Sequence, residues 1–165
     1  MAVAEQHALG AWLVDASELP RLRQTSKTLS LEDVVAEAYL PDLAETLNAS
    51  GFRGGVQHEF RGRSRQLTGV ESQALAFLTP AGAADFGQYV ADHASAFFGS
   101  PTKVTPLTMG GYAGWLFDPP VCACAGAQPL SAGALQVGDK LLVLQITGPE
   151  ADARTLRGLL RAVST

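Results

Sequence analysis

Both cysteines of the chain, Cys122 and Cys124, lie one residue apart in the segment FDPPVCACAG. Two thiolates can bind Cu(I) linearly, whereas a structural zinc site needs four ligands and no second cysteine pair follows. A disulfide across so small a ring would be strained and easily reduced, which would indicate a redox role. Packing as two small apolar side chains is the third interpretation, and all three stay open. The preceding Asp-Pro-Pro favours an exposed loop.

A second candidate is the arginine cluster of the segment RGRSR, which contains Arg61, Arg63 and Arg65. Guanidinium groups bind carboxylate or phosphate through two parallel hydrogen bonds. Three alternating arginines on an extended segment would present all of them to one anion, and a solvated hairpin tip is the alternative. The net charge of −4 argues against a nucleic-acid partner, since phosphate-binding surfaces carry excess positive charge.

Aromatic residues of the segment GYAGWLF are the third candidate. In a strand, Trp115 and Phe117 share one face and Tyr112 lies on the other. If the sheet opens toward a cleft, Tyr112 and Trp115 are candidate walls of an apolar ligand site. Core packing is the alternative use of both side chains.

A complete catalytic constellation is missing from the sequence. It contains no GxSxG, no P-loop and no GxGxxG, and GRSRQ lacks the second glycine of a nucleophile elbow. His58 is expected to lie inside, on the strand face of its apolar neighbours. Four acidic residues are assigned to solvent-facing sides of helices: Glu32, Glu37, Asp42 and Glu45. We therefore predict no catalytic residue, no cofactor and no enzymatic activity.

The elements that must position these candidates follow from hydrophobic periodicity and from capping residues. The first 29 residues are expected to form an arm and a loop, with QTSKT as the loop. Ser30 is a good N-cap for a helix with acidic residues in its first turn, and Pro41 begins a second helix.

Strand patterns then alternate with helix patterns. Strands are predicted over GVQHEF, VESQALAFLT, KVTPLTM, GYAGWLF and both halves of GALQVGDKLLVLQIT, with helices over 80–98 and 149–163. The order α(α)–β–β–α–β–β–β–β–α predicts an α+β fold, with a curved antiparallel sheet flanked by helices.

Length and composition bound the class of protein. At 165 residues the chain is expected to form one domain over 1–165. With 47% hydrophobic and 17% charged residues it is too apolar to be disordered. Its apolar runs fall short of the ~20 residues of a membrane span. The start MAVAEQHALGAW lacks the features of a signal peptide, so either the protein is cytoplasmic or a signal is absent from this chain.

The segments LVDASELP, GGYAGWLF and GALQVGDKLLVLQITG together resemble the small extracytoplasmic domains of actinobacterial lipoproteins and receptor-kinase sensor modules. The better-known sensor modules carry separated, disulfide-bonded cysteines, and this chain departs from them with its single close pair. The resemblance implies an exported binding protein, with a lipid anchor in the full-length form as one option. It carries over no functional residue.

The sequence therefore predicts a non-enzymatic extracytoplasmic binding or sensor-type module with a cleft between sheet and helices. Its partner would be an unknown small molecule or protein. Two alternatives stay open, namely a thiol-dependent redox or copper-handling protein using Cys122 and Cys124, and a structural protein–protein interaction domain.

Overall fold

Period-2 alternation along most of the predicted strands builds one open antiparallel sheet in the computed structural model, which describes residues 1–62, 66–121 and 126–163. Its seven strands have the order β1-β2-β3-β7-β6-β5-β4. They are β1 Arg23–Leu29, β2 Phe52–Arg61, β3 Gly69–Phe77, β4 Lys103–Met109, β5 Tyr112–Asp118, β6 Leu130–Val137 and β7 Lys140–Thr147. The central pair, β3 and β7, is in register from Gly69 opposite Thr147 to Ala76 opposite Lys140.

Six helices accompany the sheet in the described parts of the chain. They are α1 Val3–Gly10, α2 Leu31–Val35, α3 Leu43–Ala49, α4 Pro80–Asp92, α5 Ala94–Phe98 and α6 Ala153–Val163, with a 3-10 turn at Ala16–Glu18. Ser30 caps α2 in a capping box with Asp33, and Thr79 caps α4 with Pro80 at its first position. The predicted α+β class with an antiparallel sheet flanked by helices is confirmed.

Residues 1–29 differ from the sequence-based expectation of an arm and a loop. They contain helix α1 and the edge strand β1. Because β1 pairs on one side only and buries Leu29 alone, its sequence RQTSKTL lacks the apolar alternation by which a strand is identified. Helix α1 buries only Leu9, so its helical periodicity is equally weak.

The sheet has two faces of different character, which we call the closed face and the open face. Helices α1 and α6 cover the closed face, and α2 to α5 lie over the open face. Alternate residues of β3 divide between them, with Val70 and Ala74 on the closed face and Leu75 and Phe77 on the open face.

The closed face is filled by aliphatic side chains. Leu156 and Leu160 of α6 pack so closely over Gly133 of β6 that a Cβ there would lie 3.3 and 3.0 Å from their methyl groups. Its few polar groups are satisfied: the Ser72 hydroxyl accepts a hydrogen bond from the Val14 amide at 3.2 Å. His58 lies on this face as predicted, with Nδ1 3.1 Å from the Val14 carbonyl oxygen.

The open face is apolar over one half and polar over the other. Helix α4 covers the apolar half, where Gly87 allows the helix to approach the Trp115 ring and Leu141. The polar half continues across three neighbouring strands in register, with Glu59 opposite Glu71 and Glu71 opposite Gln145. Gln57 likewise faces Gln73.

None of the helices in the described ranges combines the length and the apolar character that crossing a membrane requires.

Candidate functional site

A cavity of about 230 Å³ lies over the boundary between the two halves of the open face. Its floor consists of side chains of β3 and β7, and its sides come from α2, α4 and α5. The site therefore lies where the helix layer stops covering the sheet.

The helix side of the cavity is an apolar wall. Helix α4 ends at Asp92, and the short α5 that follows brings two phenylalanines back over the sheet. Phe98 stacks on Phe117 with ring centroids 4.6 Å apart, which holds this part of the wall in place. The apolar lining consists of Val34, Leu75, Phe86, Val90, Phe97, Phe98 and Val143.

The other end of the cavity is polar and centres on the amide of Gln73, which is 5% exposed. Its Nε2 lies 2.7 Å from Glu37 Oε1, 2.9 Å from Glu71 Oε1 and 3.3 Å from Gln57 Oε1. A primary amide has two N–H groups, so the two carboxylates at the shorter distances take its hydrogens. Gln73 thus fixes two glutamates that come from separate elements of the fold.

Burial controls the ionisation of both glutamates. It raises the pKa of Glu37 to about 7, and the nearby Glu71 carboxylate adds to the rise. Burial also raises the pKa of Glu71; the hydrogen bond from Gln73 opposes this rise, and the Glu59 carboxylate adds to it. Glu37 as a whole is an exposed residue, so water still reaches it at the mouth of the cavity.

The basic side chains near the glutamates balance only part of their negative charge. Arg61 Nε donates to Glu59 Oε1 at 2.6 Å, which neutralises a glutamate outside the cavity lining. Lys27 of β1 lies on the same sheet face, in register with Gln57. Among the described residues, no basic side chain lies within 4.0 Å of the Glu37 or Glu71 carboxylate. Counted over the described residues, the polar end of the cavity therefore carries excess negative charge.

Three of the sequence candidates, Tyr112, Trp115 and Arg61, lie within the described residues, and none of the three lines this cavity. Trp115 packs under α4 at Gly87, and Tyr112 is half-buried against the closed-face core. Arg61 lies at the end of β2 in its ion pair with Glu59. Ligand binding by Tyr112, Trp115 and Arg61 stays a prediction.

Four further candidates, Arg63, Arg65, Cys122 and Cys124, lie outside the described residues.

Sequence reasoning missed the residues that form the polar end. Glu37 is exposed, as its predicted solvent-facing position implies, but it follows the end of α2 in a turn and its carboxylate accepts a hydrogen bond from Gln73. Glu71 and Gln73 lie two residues apart in the otherwise apolar segment VESQALAF. Polar residues on one face of a central strand are a signal that buried polar chemistry occurs there.

The described residues offer no set of three or more histidine, cysteine or acidic side chains arranged to hold a metal ion.

Comparison with known proteins gives information at the level of the fold. No protein-family model matches the chain, and no curated protein matches its sequence. Among solved structures, it is similar to the extracellular domain of PknH from Mycobacterium tuberculosis, with a TM-score of 0.57 and 14% sequence identity. The similarity covers 96% of this chain and 95% of that one. It shows that the two chains share an α+β fold.

Proposed function

We propose that this protein is a non-enzymatic, extracytoplasmic binding or sensor-type module that holds a small ligand in the cavity of the open face. The observation that carries the proposal is the cavity itself, in which an apolar wall faces a polar end held by buried Gln73. Ligand sites generally combine a mostly apolar lining with a few convergent polar groups.

The volume limits the size of the ligand. A water molecule occupies about 30 Å³ in the liquid, so a cavity of about 230 Å³ holds the equivalent of roughly eight waters. We expect a ligand of about ten non-hydrogen atoms, smaller than a nucleotide or a sugar chain.

The extracytoplasmic assignment has two supports. The fold is similar to that of the extracellular domain of a PknH chain, and three segments of the sequence resemble exported sensor and lipoprotein domains. The first support concerns the fold alone, so the location is tested separately, by fractionation of cells that express the full-length protein.

We assign binding rather than catalysis because of what lies between the two glutamates. Paired carboxylates that act as acid and base flank the reacting bond of a substrate. Here the Gln73 amide nitrogen is within hydrogen-bond distance of both carboxylates and fills that position.

The proposal is tested by ¹H–¹⁵N NMR titration with phenethylamine, 2-phenylethanol, 3-phenylpropionate and indole. At least one of these probes is expected to shift the amide signals of Val34, Gln73 and Val143 together. Val143→Phe fills the cavity floor and should abolish these shifts, and Gln145→Trp tests the same effect from the polar side.

Val104→Phe is the matched control, because Val104 packs against the same core but does not line the cavity. If none of the four probes shifts the cavity signals, or if both filled variants bind as the wild type does, the proposed function is wrong.

A further inference from the structure

We infer that the cavity selects an organic cation, a small primary amine or amidine with an aromatic or branched apolar body. The cationic end would lie against Glu37 and Glu71, and the body against Phe86, Val90 and Phe98. This inference rests on the proposed function and specifies the ligand class of the same site.

The first argument is that the fold brings several glutamate carboxylates close together. Glu59 and Glu71 lie directly opposite each other on neighbouring strands, an arrangement that destabilises a sheet. Glu37 approaches the same point from the turn after α2. Arg61 pairs with Glu59 and leaves Glu37 and Glu71 without an ion-pair partner among the described residues. A bound cation would offset the repulsion that remains between Glu37 and Glu71.

The second argument is the balance of hydrogen-bond donors and acceptors. Gln73 uses its amide hydrogens on Glu37 and Glu71, so the polar end presents mainly carboxylate oxygens to a ligand. An ammonium group donates three hydrogen bonds and accepts none, and bonds from a charged donor to a carboxylate are stronger than neutral ones. A carboxylate or phosphate ligand would meet two carboxylates of like charge, with Gln145 as the remaining amide donor in the described lining.

The third argument is the apolar wall, which distinguishes an organic cation from a metal ion. Hard cations such as Ca²⁺ take six to eight oxygen ligands, and the wall of this cavity has none to give. Phenylalanine rings provide contact area for a hydrocarbon body.

Binding of a cation should depend on pH, because both carboxylates must be ionised. The charged groups near Glu37 are Asp33 of α2, Lys27 of β1 and Glu71 of β3, and Glu59 and Arg61 of β2 act on Glu71. Helices α4 and α5 contribute only apolar side chains to the lining. Since burial raises the pKa of Glu37 to about 7, affinity should increase about tenfold to thirtyfold from about pH 5.5 to about pH 8.

The test is isothermal titration calorimetry at about pH 8 with three probes of matched size. Phenethylamine is the cation, 2-phenylethanol the neutral probe and 3-phenylpropionate the anion. We expect phenethylamine to bind at least about tenfold more tightly than either of the others, the factor that about 1.4 kcal/mol provides.

Two variants assign the selectivity to named residues. Glu37→Gln and Glu71→Gln should each weaken phenethylamine binding about fivefold or more and leave 2-phenylethanol binding unchanged. Glu32→Gln makes the same chemical change on α2 outside the cavity and should alter neither.

The outcomes separate this inference from the proposed function. If 2-phenylethanol or 3-phenylpropionate binds in the cavity as tightly as phenethylamine does, the cation inference is wrong and the binding function stands. Unchanged phenethylamine affinity in Glu37→Gln and Glu71→Gln, or displacement of phenethylamine by CaCl₂ alone, would also overturn it. Failure of phenethylamine to bind while another probe binds would overturn the inference alone, and failure of all four probes, indole included, would overturn the inference and the proposed function together.

Discussion

The two faces of the sheet consist of alternate residues of the same strands, yet one is a filled core and the other is only partly covered. On the closed face, α6 packs onto a strand glycine and aliphatic side chains fill the space between them. On the open face, α4 covers only the apolar half, and the glutamates and glutamines of the other half border a cavity of about 230 Å³.

The difference shows how one sheet separates stability from binding. Burial of apolar area provides most of the free energy of folding, and both faces contribute to it, but the closed face does so without a cluster of like charges. The open face keeps like charges close together, which costs stability and is typical of functional sites. Four substitutions test this division, and they follow in order of decreasing effect.

Leu156→Ala should have the largest effect, because Leu156 is fully buried at the centre of the closed face. Removing a buried leucine side chain costs about 2–5 kcal/mol, since the cavity left behind collapses only in part. Urea unfolding should show this loss, and half-buried Leu159→Ala on the same helix should lose clearly less. A loss below about 1 kcal/mol in Leu156→Ala would mean that the closed face repacks freely.

Gly87→Ala should destabilise the apolar half of the open face by about 1–3 kcal/mol, the usual cost of overpacking. A Cβ at this position would lie 2.7 Å from the Trp115 ring, so the ring must move. Gly158→Ala is the control on α6: no atom lies within 4 Å of its Cβ, and the change should stabilise the helix.

Trp115→Leu in the Gly87→Ala background should recover part of the lost stability. If the two substitutions prove additive, contact between Gly87 and Trp115 is not the cause.

Glu37→Gln should stabilise the polar half of the open face at high pH. The folded-state pKa of Glu37, about 7, exceeds its ordinary value of 4.5, so its contribution to stability is complete below about pH 4.5 and is lost as pH rises through 7. The neutral amide avoids this loss. Because water screens the partly exposed side chain, we expect a gain of about 1 kcal/mol at about pH 8, or about 2–4 °C in Tm.

The gain from Glu37→Gln should disappear at about pH 4.5 in thermal melts. Glu32→Gln should show no gain at either pH, since hydrogen bonds lower the pKa of Glu32. Equal stabilisation of Glu37→Gln at both pH values would show that charge is not the cause.

Glu59→Gln should change stability least, by less than about 0.5 kcal/mol in urea unfolding. It removes the repulsion with Glu71 but also breaks the exposed ion pair with Arg61, and exposed pairs contribute little. A larger change in either direction would show that Glu59 belongs to the cavity as fully as Glu71 does.

The sequence predicts those elements whose apolar residues repeat with one period. Leu142, Leu144 and Ile146 alternate along β7, and the β6–β7 hairpin lies where that pattern places it. Strand β1 was not predictable, because an edge strand exposed to water has no apolar face to reveal it. Apolar periodicity thus identifies the elements that have a buried face and misses the elements that have none.

The candidate site was less predictable than the fold. Glu37 reaches Gln73 only because α2 ends at Val35 and the chain turns back over the sheet, a tertiary event with no local signal. Trp115 was a candidate because of its residue type, but in the structure its ring packs against α4 at Gly87. The polar pair Glu71 and Gln73, within an apolar strand, is the one local signal of the site, and the sequence-based candidates did not include it.

The pairing of β3 with β7 at the middle of the sheet has a consequence for the speed of folding. The strands β4 to β7 form successive hairpins from chain neighbours, whereas β3 and β7 join residues about 70 positions apart. Contacts between distant residues slow folding, because the chain must lose the entropy of closing a long loop before these contacts stabilise it. Pairing of β3 with β7 should therefore be the slow step of folding. The closed-face core and the cavity are complete only after these two strands have paired.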